Sequence, residues 1–354
     1  MKVVLLAPTP PPTGGISSWT ERMMNCTLKN DWKVVVVDEK LIGGRTTYGA
    51  SSKINFFVEI KRCFRIWSDL NKALKERDAA GVQACIPAGL NSMIREYISA
   101  IITKLHKRKF IVHFRCTVPN MVKSKLSRFV YKRLLKLCDC VFVLNRQSLR
   151  FSQELCPKNK YELIPNFVDI TEVYDRETYS ENIGKIIYVG GVIPQKGCER
   201  MVDVARKRPD IEFRMIGKVG ISVENLPANV VLCGEQDKKT VETELAEADV
   251  FMFLSNFLGE GFSNALAEAM ANSLPCIVTD WAANADMIED KGGVVVASAD
   301  NGDLDEILCA IKKIADKETR RKMGEWNRDR VLNCYSQKII TDMYVDAYES
   351  LLSK

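Results

Sequence analysis

Residues 250–279 read VFMFLSNFLGEGFSNALAEAMANSLPCIVT. Val250–Leu254 and Cys276–Thr279 are short continuous apolar runs of the kind that form strands buried on both faces, and Ser263–Asn272 between them has helical spacing. Strand, helix and strand in that order predict a βαβ unit of a parallel sheet. The connecting loop, Gly259-Glu260-Gly261-Phe262, opens directly into the helix. The first amides of a helix lack intrahelical acceptors and its dipole favours negative charge, so this loop is a candidate anion site. Glu260 falls in the loop and Glu268 on the helix, eight positions apart. Eight helical residues rise ~12 Å, too far for the two carboxylates to act as an acid/base pair on one bond. They suit the two ends of one elongated ligand whose phosphates lie at the helix tip, and the spacing suggests a nucleotide-sugar.

The same alternation extends outward through all 354 residues. In the N-terminal half, strands are expected at Val3–Ala7, Val34–Val37, Val82–Ile86, Phe110–Phe114 and Cys140–Leu144. Helices are expected at Ile16–Lys29, Phe56–Arg77, Asn91–His106 and Lys123–Leu137. In the C-terminal half, strands are expected at Ile186–Val189, Glu212–Ile216, Val230–Leu232 and Val294–Val296, besides the two above. Its helices are expected at Cys198–Arg208, Thr240–Ala246 and Leu304–Ala315. The fold class is therefore α/β, with two doubly wound, Rossmann-like parallel-sheet domains. The expected divisions are 1–169 for the N-terminal domain, 170–184 for a polar linker and 185–335 for the C-terminal domain. A final helix, 336–354, could pack on either domain.

Composition narrows the class. With 46% hydrophobic and 27% charged residues the chain reads as a globular protein, and no apolar run approaches the ~20 residues of a membrane span. The apolar start, Met1–Ala7, is cut short by prolines and reads as a first strand rather than a signal segment. Twelve cysteines without a C-x-x-C pair imply reduced, cytoplasmic usage, and two histidines, His106 and His113, make a zinc site an unpromising reading. Charge is uneven: residues 1–175 hold 29 Lys and Arg against 15 Asp and Glu, whereas the remainder is acidic. The basic excess peaks around Lys123, Lys125, Arg128, Lys132 and Arg133. On a helix, Leu126, Phe129, Val130, Leu134 and Leu137 would form an apolar stripe with these cations on its flanks. One reading is an amphipathic core helix with a solvated basic face. The other is a face for anionic lipid headgroups or a lipid-diphosphate acceptor at the membrane. Nucleic acid is disfavoured, since no aromatic-interleaved basic motif accompanies the charge.

Open α/β sheets bind ligands beyond the carboxyl ends of their strands. Three such loops carry chemistry. Pro10–Gly15 follows the first strand and opens a helix, with Gly14 and Gly15 letting backbone approach a ligand closely. Gly190-Gly191-Val192-Ile193-Pro194-Gln195-Lys196-Gly197 lies between a strand and a helix, where Lys196 can reach a diphosphate as a point charge. It has neither the Walker spacing nor G-x-G-x-x-G. The Glu260–Glu268 loop is the third. Asp303-Leu-Asp305 forms a D-x-D, but its context before a helical run reads as capping and first-turn charge, so no metal is expected.

Together these segments resemble family 4 of the retaining glycosyltransferases. The resemblance rests on Ile164–Asp169 (IPNFVD), Tyr188–Gly191 with Lys196-Gly197, Met215–Gly217, Glu260–Ala271 with its E-x7-E spacing, and Pro275–Asp280. It implies a GT-B fold, two facing Rossmann-like domains with an interdomain cleft, and a nucleotide-sugar donor with no cofactor. It further implies that Glu260 holds the donor sugar and Glu268 the ribose. The amides of Phe262, Ser263 and Asn264 would hold the diphosphate with Lys196, Gly190 and Gly191, while Gly15 approaches from the other domain.

Two positions depart from the family pattern. Gly191 stands where an arginine is common. In Ile111-Val112-His113-Phe114-Arg115, Arg115 replaces the second histidine of an H-x-H-like pattern, with His113 expected in the core and Arg115 facing the cleft to bind phosphate or sugar. The function implied is transfer of a sugar to a glycan acceptor, oligosaccharide or polyprenyl-diphosphate-linked, in surface polysaccharide assembly at the inner face of the cell membrane. A nucleotide-sugar epimerase of the same fold and a catalytically degenerate subunit are the alternatives.

Overall fold

A computed structural model describes residues 1–11, 14–40, 56–168, 176, 178–222, 224–297 and 304–352. Pro12, Thr13, Asp169 and Asp303, together with residues 170–175 and 177 of the expected linker, lie outside the described residues. The chain divides into two compact units, Met1–Asn166 with Ile340–Lys354, and Phe167–Ile339.

The first unit is built on β1 (Lys2–Ala7), β2 (Lys33–Asp38), β3 (Ala79–Ile86), β4 (Lys109–Phe114), β5 (Cys140–Val143) and β6 (Tyr161–Leu163). They form one parallel sheet in the order β2-β1-β3-β4-β5-β6. Its helices are α1 (Gly15–Asn25), α2 (Phe56–Ala73), α3 (Leu90–Leu105), the single turn α4 (Val118–Met121), α5 (Lys125–Leu137) and α6 (Arg146–Leu155). From β2 onward the strands advance across the sheet in one direction, so right-handed crossovers put α2, α3 and α5 on one face. The step from β1 to β2 runs the other way and puts α1 on the opposite face.

The second unit repeats the plan with β7 (Lys185–Val189), β8 (Glu212–Ile216), β9 (Val230–Gly234), β10 (Val250–Phe253), β11 (Cys276–Thr279) and β12 (Gly293–Val296). All are parallel, in the order β12-β11-β10-β7-β8-β9. Its helices are α7 (Cys198–Lys207), α8 (Lys238–Glu247), α9 (Asn264–Ala271), α10 (Asn284–Ile288), α11 (Leu304–Lys313) and α12 (Lys317–Cys334). The last helix, α13 (Gln337–Leu352), belongs to the first unit from Ile340 onward. There Tyr344 packs on Trp19 of α1 at 5.9 Å between rings, and the Tyr348 hydroxyl donates to Gln83 Oε1 at 2.7 Å. The strands β1, β4, β5, β10 and β11 are buried runs rich in Val, Ile, Leu and Phe, as expected where helices cover both faces.

One packing expectation is corrected. On α5 the buried positions are Ser127, Tyr131, Leu134 and Leu135, while Leu126 and Phe129 are exposed. The inward face is turned about one residue from the stripe that apolar spacing predicts. Tyr131 fixes this, because its ring packs on Phe114 and Phe151 and its hydroxyl meets Ser152 Oγ at 2.6 Å.

Candidate active site

In the second unit, the loop after β7 is held by glycines that admit no side chain. Gly197 has φ +77° and a Cβ there would collide with the Leu254 carbonyl. Gly217, at φ +141°, lies against the Gly190 carbonyl in the same way. Only glycine takes these backbone angles without strain. The loop therefore seats tightly on the ends of β8 and β10. Tyr188, stacked on Phe253 at 6.0 Å, donates its hydroxyl to the Gly191 carbonyl at 2.8 Å. Gly191 itself faces open space, with nothing within 4 Å of the point a Cβ would occupy.

That seating delivers Lys196 to the loop that follows β10. Its ammonium forms an ion pair with Glu260 Oε2 and lies 5.4 and 5.1 Å from the ring centres of Phe253 and Phe257. Aromatic faces are electronegative, so they stabilise the cation further. Ser255 Oγ donates to Glu260 Oε2 at 3.4 Å, and the Glu260 amide bonds the Phe257 carbonyl at 3.0 Å. The same carbonyl accepts from Trp281 Nε1 at 2.8 Å. Glu260 is 9% exposed. Three residues on, Ser263 caps α9, its Oγ accepting from the Leu266 amide at 3.2 Å. Phe262 is buried edge-on against Tyr335 at 5.1 Å, which fixes the entry to the helix.

Lys196, Glu260, Phe262, Ser263 and Asn264 thus converge at the start of α9, with Gly190 and Gly191 on the adjoining loop. Glu268 is half-buried further along the helix, five positions from the cap and ~7.5 Å of rise away. A cation, a carboxylate and a helix N-terminus in one place can hold a diphosphate and orient hydroxyl groups beside it. Sequence reasoning passed over Ser255, Phe253 and Phe257. Ser255 and Phe253 stand at or just past the carboxyl end of a central strand, a position that could have marked them.

The remaining expected residues lie in the first unit. Gly14 begins α1 in extended backbone, and Gly15 is exposed with open space around it. His113 is fully buried among Trp19, Phe142 and Tyr344. Burial, then the neighbouring Arg115 charge, hold its pKa well below the usual histidine value. Arg115 is 7% exposed. Its guanidinium lies 4.1 Å over the Trp19 ring and donates to Asn166 Oδ1 and, at 3.5 Å, to the Tyr344 hydroxyl. Lys123, Lys125, Arg128, Lys132 and Arg133 are exposed at or on α5. Among the described residues no group of His, Cys, Asp or Glu could hold a metal ion, and no helix is long and apolar enough to cross a membrane.

Residues 172–330 match the family described as Glycosyl transferases group 1. Among curated proteins, the chain is 26% identical over 236 residues to N-acetyl-alpha-D-glucosaminyl L-malate synthase of Bacillus anthracis, covering 60% of each chain. It is 24% identical over 264 residues to UDP-Gal:alpha-D-GlcNAc-diphosphoundecaprenol alpha-1,3-galactosyltransferase of Escherichia coli, covering 63% of this chain and 65% of that protein. The matches thus span less than two thirds of these relatives' lengths. In fold, the chain is similar to sucrose-phosphate synthase from Thermosynechococcus elongatus, with a TM-score of 0.78 at 16% identity over 99% of both chains. Two six-stranded parallel-sheet domains and this likeness establish the GT-B architecture.

Proposed function

We propose that this chain, a glycosyltransferase of the group 1, GT-B kind, moves a sugar from a nucleotide-sugar to a polyprenyl-diphosphate-linked glycan with retention of anomeric configuration. The observation that carries the reading is the convergence of Lys196 and Glu260 on the N-terminus of α9. The E. coli relative, whose name states a UDP-galactose donor and a diphosphoundecaprenol-linked acceptor, supports the choice of substrates.

In this reading the ion pair holds both side chains at the helix tip before the donor arrives. The donor diphosphate takes over the Lys196 ammonium and lies on the amides of Phe262, Ser263 and Asn264. The sugar hydroxyls take over the Glu260 carboxylate, and the ribose hydroxyls meet Glu268. Charge developing on the departing nucleoside diphosphate is stabilised by preorganised amides and one cation, so no metal is required. In this reading the leaving phosphate itself accepts the acceptor's proton. Departure and attack then share one face of the sugar, and configuration is kept. The basic segment at α5 presents the protein to an anionic membrane, in the cytoplasm, for surface polysaccharide assembly.

The test is a transfer assay with UDP-, GDP- and ADP-sugars on a polyprenyl-diphosphate-linked sugar, with product configuration read by NMR and chelator added in parallel. A retained configuration and chelator-insensitive turnover are expected. An epimerised free sugar, or no cleavage of any donor, would reject the reading.

A further inference from the structure

α3 is amphipathic the wrong way round for a helix with one side in water. Its buried positions include Arg95, Glu96, Ser99 and Thr103, where Arg95 joins Glu39 Oε2 at 2.7 Å and Glu96 Oε1 at 2.6 Å. Its outward stripe is Ile94, Ile98, Ile101 and Leu105, at helical spacing, with Leu105 77% exposed. The two flanking helices continue the pattern. α2, tied to α3 by Trp67 Nε1 donating to the Arg95 carbonyl at 3.4 Å, turns Phe57, Ile60 and Phe64 outward, with Phe57 80% exposed. α5, packed on the other side of α3, exposes Leu126 and Phe129 at 58% and 56%. One layer of the first unit thus presents apolar side chains to the outside from three neighbouring helices. A soluble monomer rarely leaves so extended an apolar surface uncovered.

Charge identifies what covers it. Residues 101–150 hold thirteen Lys and Arg and one carboxylate, Asp139, which is engaged by Lys104 and Lys109. α5 contains no acidic residue, and Lys125, Arg128, Lys132 and Arg133 have no carboxylate partner among the described residues; Arg133 instead lies 5.1 Å over the Phe129 ring. Lys61 adds a cation beside Phe57 and Phe64 on α2. A second copy of the chain would set this basic rim against itself, since a two-fold interface pairs each patch with its own likeness. An anionic lipid surface matches both features, taking the apolar side chains below the headgroups and the cations among them.

We infer that the outer face of α2, α3 and α5 is a membrane-docking surface that inserts Phe57, Phe64, Ile101, Leu105, Leu126 and Phe129 into an anionic bilayer. The lipid-linked acceptor proposed above gives the docking its purpose, but the surface stands whatever the identity of the donor.

The test is co-sedimentation of the purified full chain with vesicles of phosphatidylcholine alone or mixed with phosphatidylglycerol. Wild type is expected to pellet with the anionic vesicles and to be released by high salt. Phe57→Ser with Phe64→Ser and Leu105→Ser should weaken that binding by about 10-fold or more, because the buried apolar area is lost. Lys125→Glu with Lys132→Glu should weaken it by a similar factor through charge. All replaced side chains are exposed, and an unchanged melting curve checks that the fold persists. Binding to both vesicle types alike, no binding, or an apolar variant that pellets like wild type would overturn the inference. So would a wild-type dimer, seen by light scattering, that the apolar variant converts to monomer. A nucleotide thermal-shift measurement on the same proteins separates the two proposals. Vesicle binding without nucleotide binding rejects the donor reading alone, and nucleotide binding without vesicle binding rejects the docking surface alone.

Discussion

Lys196 and Glu260, 64 positions apart in the chain, form an ion pair at the start of α9, between two aromatic rings and a serine hydroxyl. Replacing either with a neutral isostere, Lys196→Met or Glu260→Gln, is expected to lower transfer by about 100-fold or more, the usual effect of removing one preorganised group from a charged transition state. The proposal has both residues acting on one ligand, so the double variant should lose much less than the product of the single losses. Steady-state kinetics on the four proteins measures this. Independent, multiplicative losses would mean that the pair is not a unit in the reaction.

The glycines of the loop after β7 divide by geometry. Gly197→Ala meets the Leu254 carbonyl at a positive φ and should cost about 1–3 kcal/mol of stability. Gly191→Arg enters open space and should leave stability within about 0.5 kcal/mol. Because it adds a cation near the proposed diphosphate position, it should also tighten nucleoside diphosphate binding. Thermal melts and titration calorimetry check both halves. A Gly191→Arg protein that folds normally but binds nucleotide no better would remove the diphosphate from this part of the loop.

Arg115 joins three elements of the first unit, lying over Trp19 and bonded to Asn166 and Tyr344. Arg115→Ala should cost about 1–3 kcal/mol by removing its buried hydrogen bonds to Asn166 and Tyr344 and its contact with the Trp19 ring. If Arg115 also meets donor, turnover should fall beyond what the lost stability explains. Arg115→Lys, which keeps charge but not the planar fork, should recover only part of it. Unchanged turnover and donor affinity in the alanine variant would confine Arg115 to a structural part.

His113 sets a pH signature. Its folded pKa lies well below 6.5 because of burial and the Arg115 charge. Above pH 6.5 the side chain is neutral in both folded and unfolded chains and adds no pH dependence. As pH falls below 6.5 the unfolded chain takes up a proton that the folded chain refuses, and stability declines by about 1.4 kcal/mol per pH unit toward the folded pKa. Comparing wild type with His113→Gln by denaturant melts between neutral and mildly acidic pH isolates the effect. An identical acid slope in both proteins would contradict it.

Much of this architecture was legible because parallel strands buried on both faces leave near-continuous apolar runs, and β1, β4, β10 and β11 all carry them. β6 was missed: it is three residues long and only partly buried, so its pattern is too short to register. α12 was missed for a different reason. Its inward positions are Arg320, Gly324, Asn327 and Val331, which show helical spacing but little hydrophobicity. Arg320 donates to the Ile314 and Ala315 carbonyls, and Asn327 to those of Leu274 and Gly292 at 2.7 Å. A helix that packs through polar anchors has no apolar stripe to find. α6 is similar, burying Ser148 and Ser152. The rotation of α5 was hidden because Tyr131, the residue that directs it, counts as half polar in any stripe. In the site, glycines and charged residues in strand-end loops were visible. The aromatic rings around Lys196 were not, since nothing in their spacing separates them from core.

The central claim is that Glu260 and Glu268 hold different ends of one donor. Calorimetric titration of UDP and a UDP-sugar into wild type, Glu260→Gln and Glu268→Gln tests it most directly, with GDP and ADP pairs in reserve for the base. Wild type should bind the sugar nucleotide. Glu260→Gln should keep nucleoside diphosphate affinity while losing the increment due to the sugar, and Glu268→Gln should lose affinity for both ligands by about 10-fold, the worth of one charge-assisted hydrogen bond. Equal effects of the two substitutions on both ligands, or no binding of any nucleotide to wild type, would contradict the account.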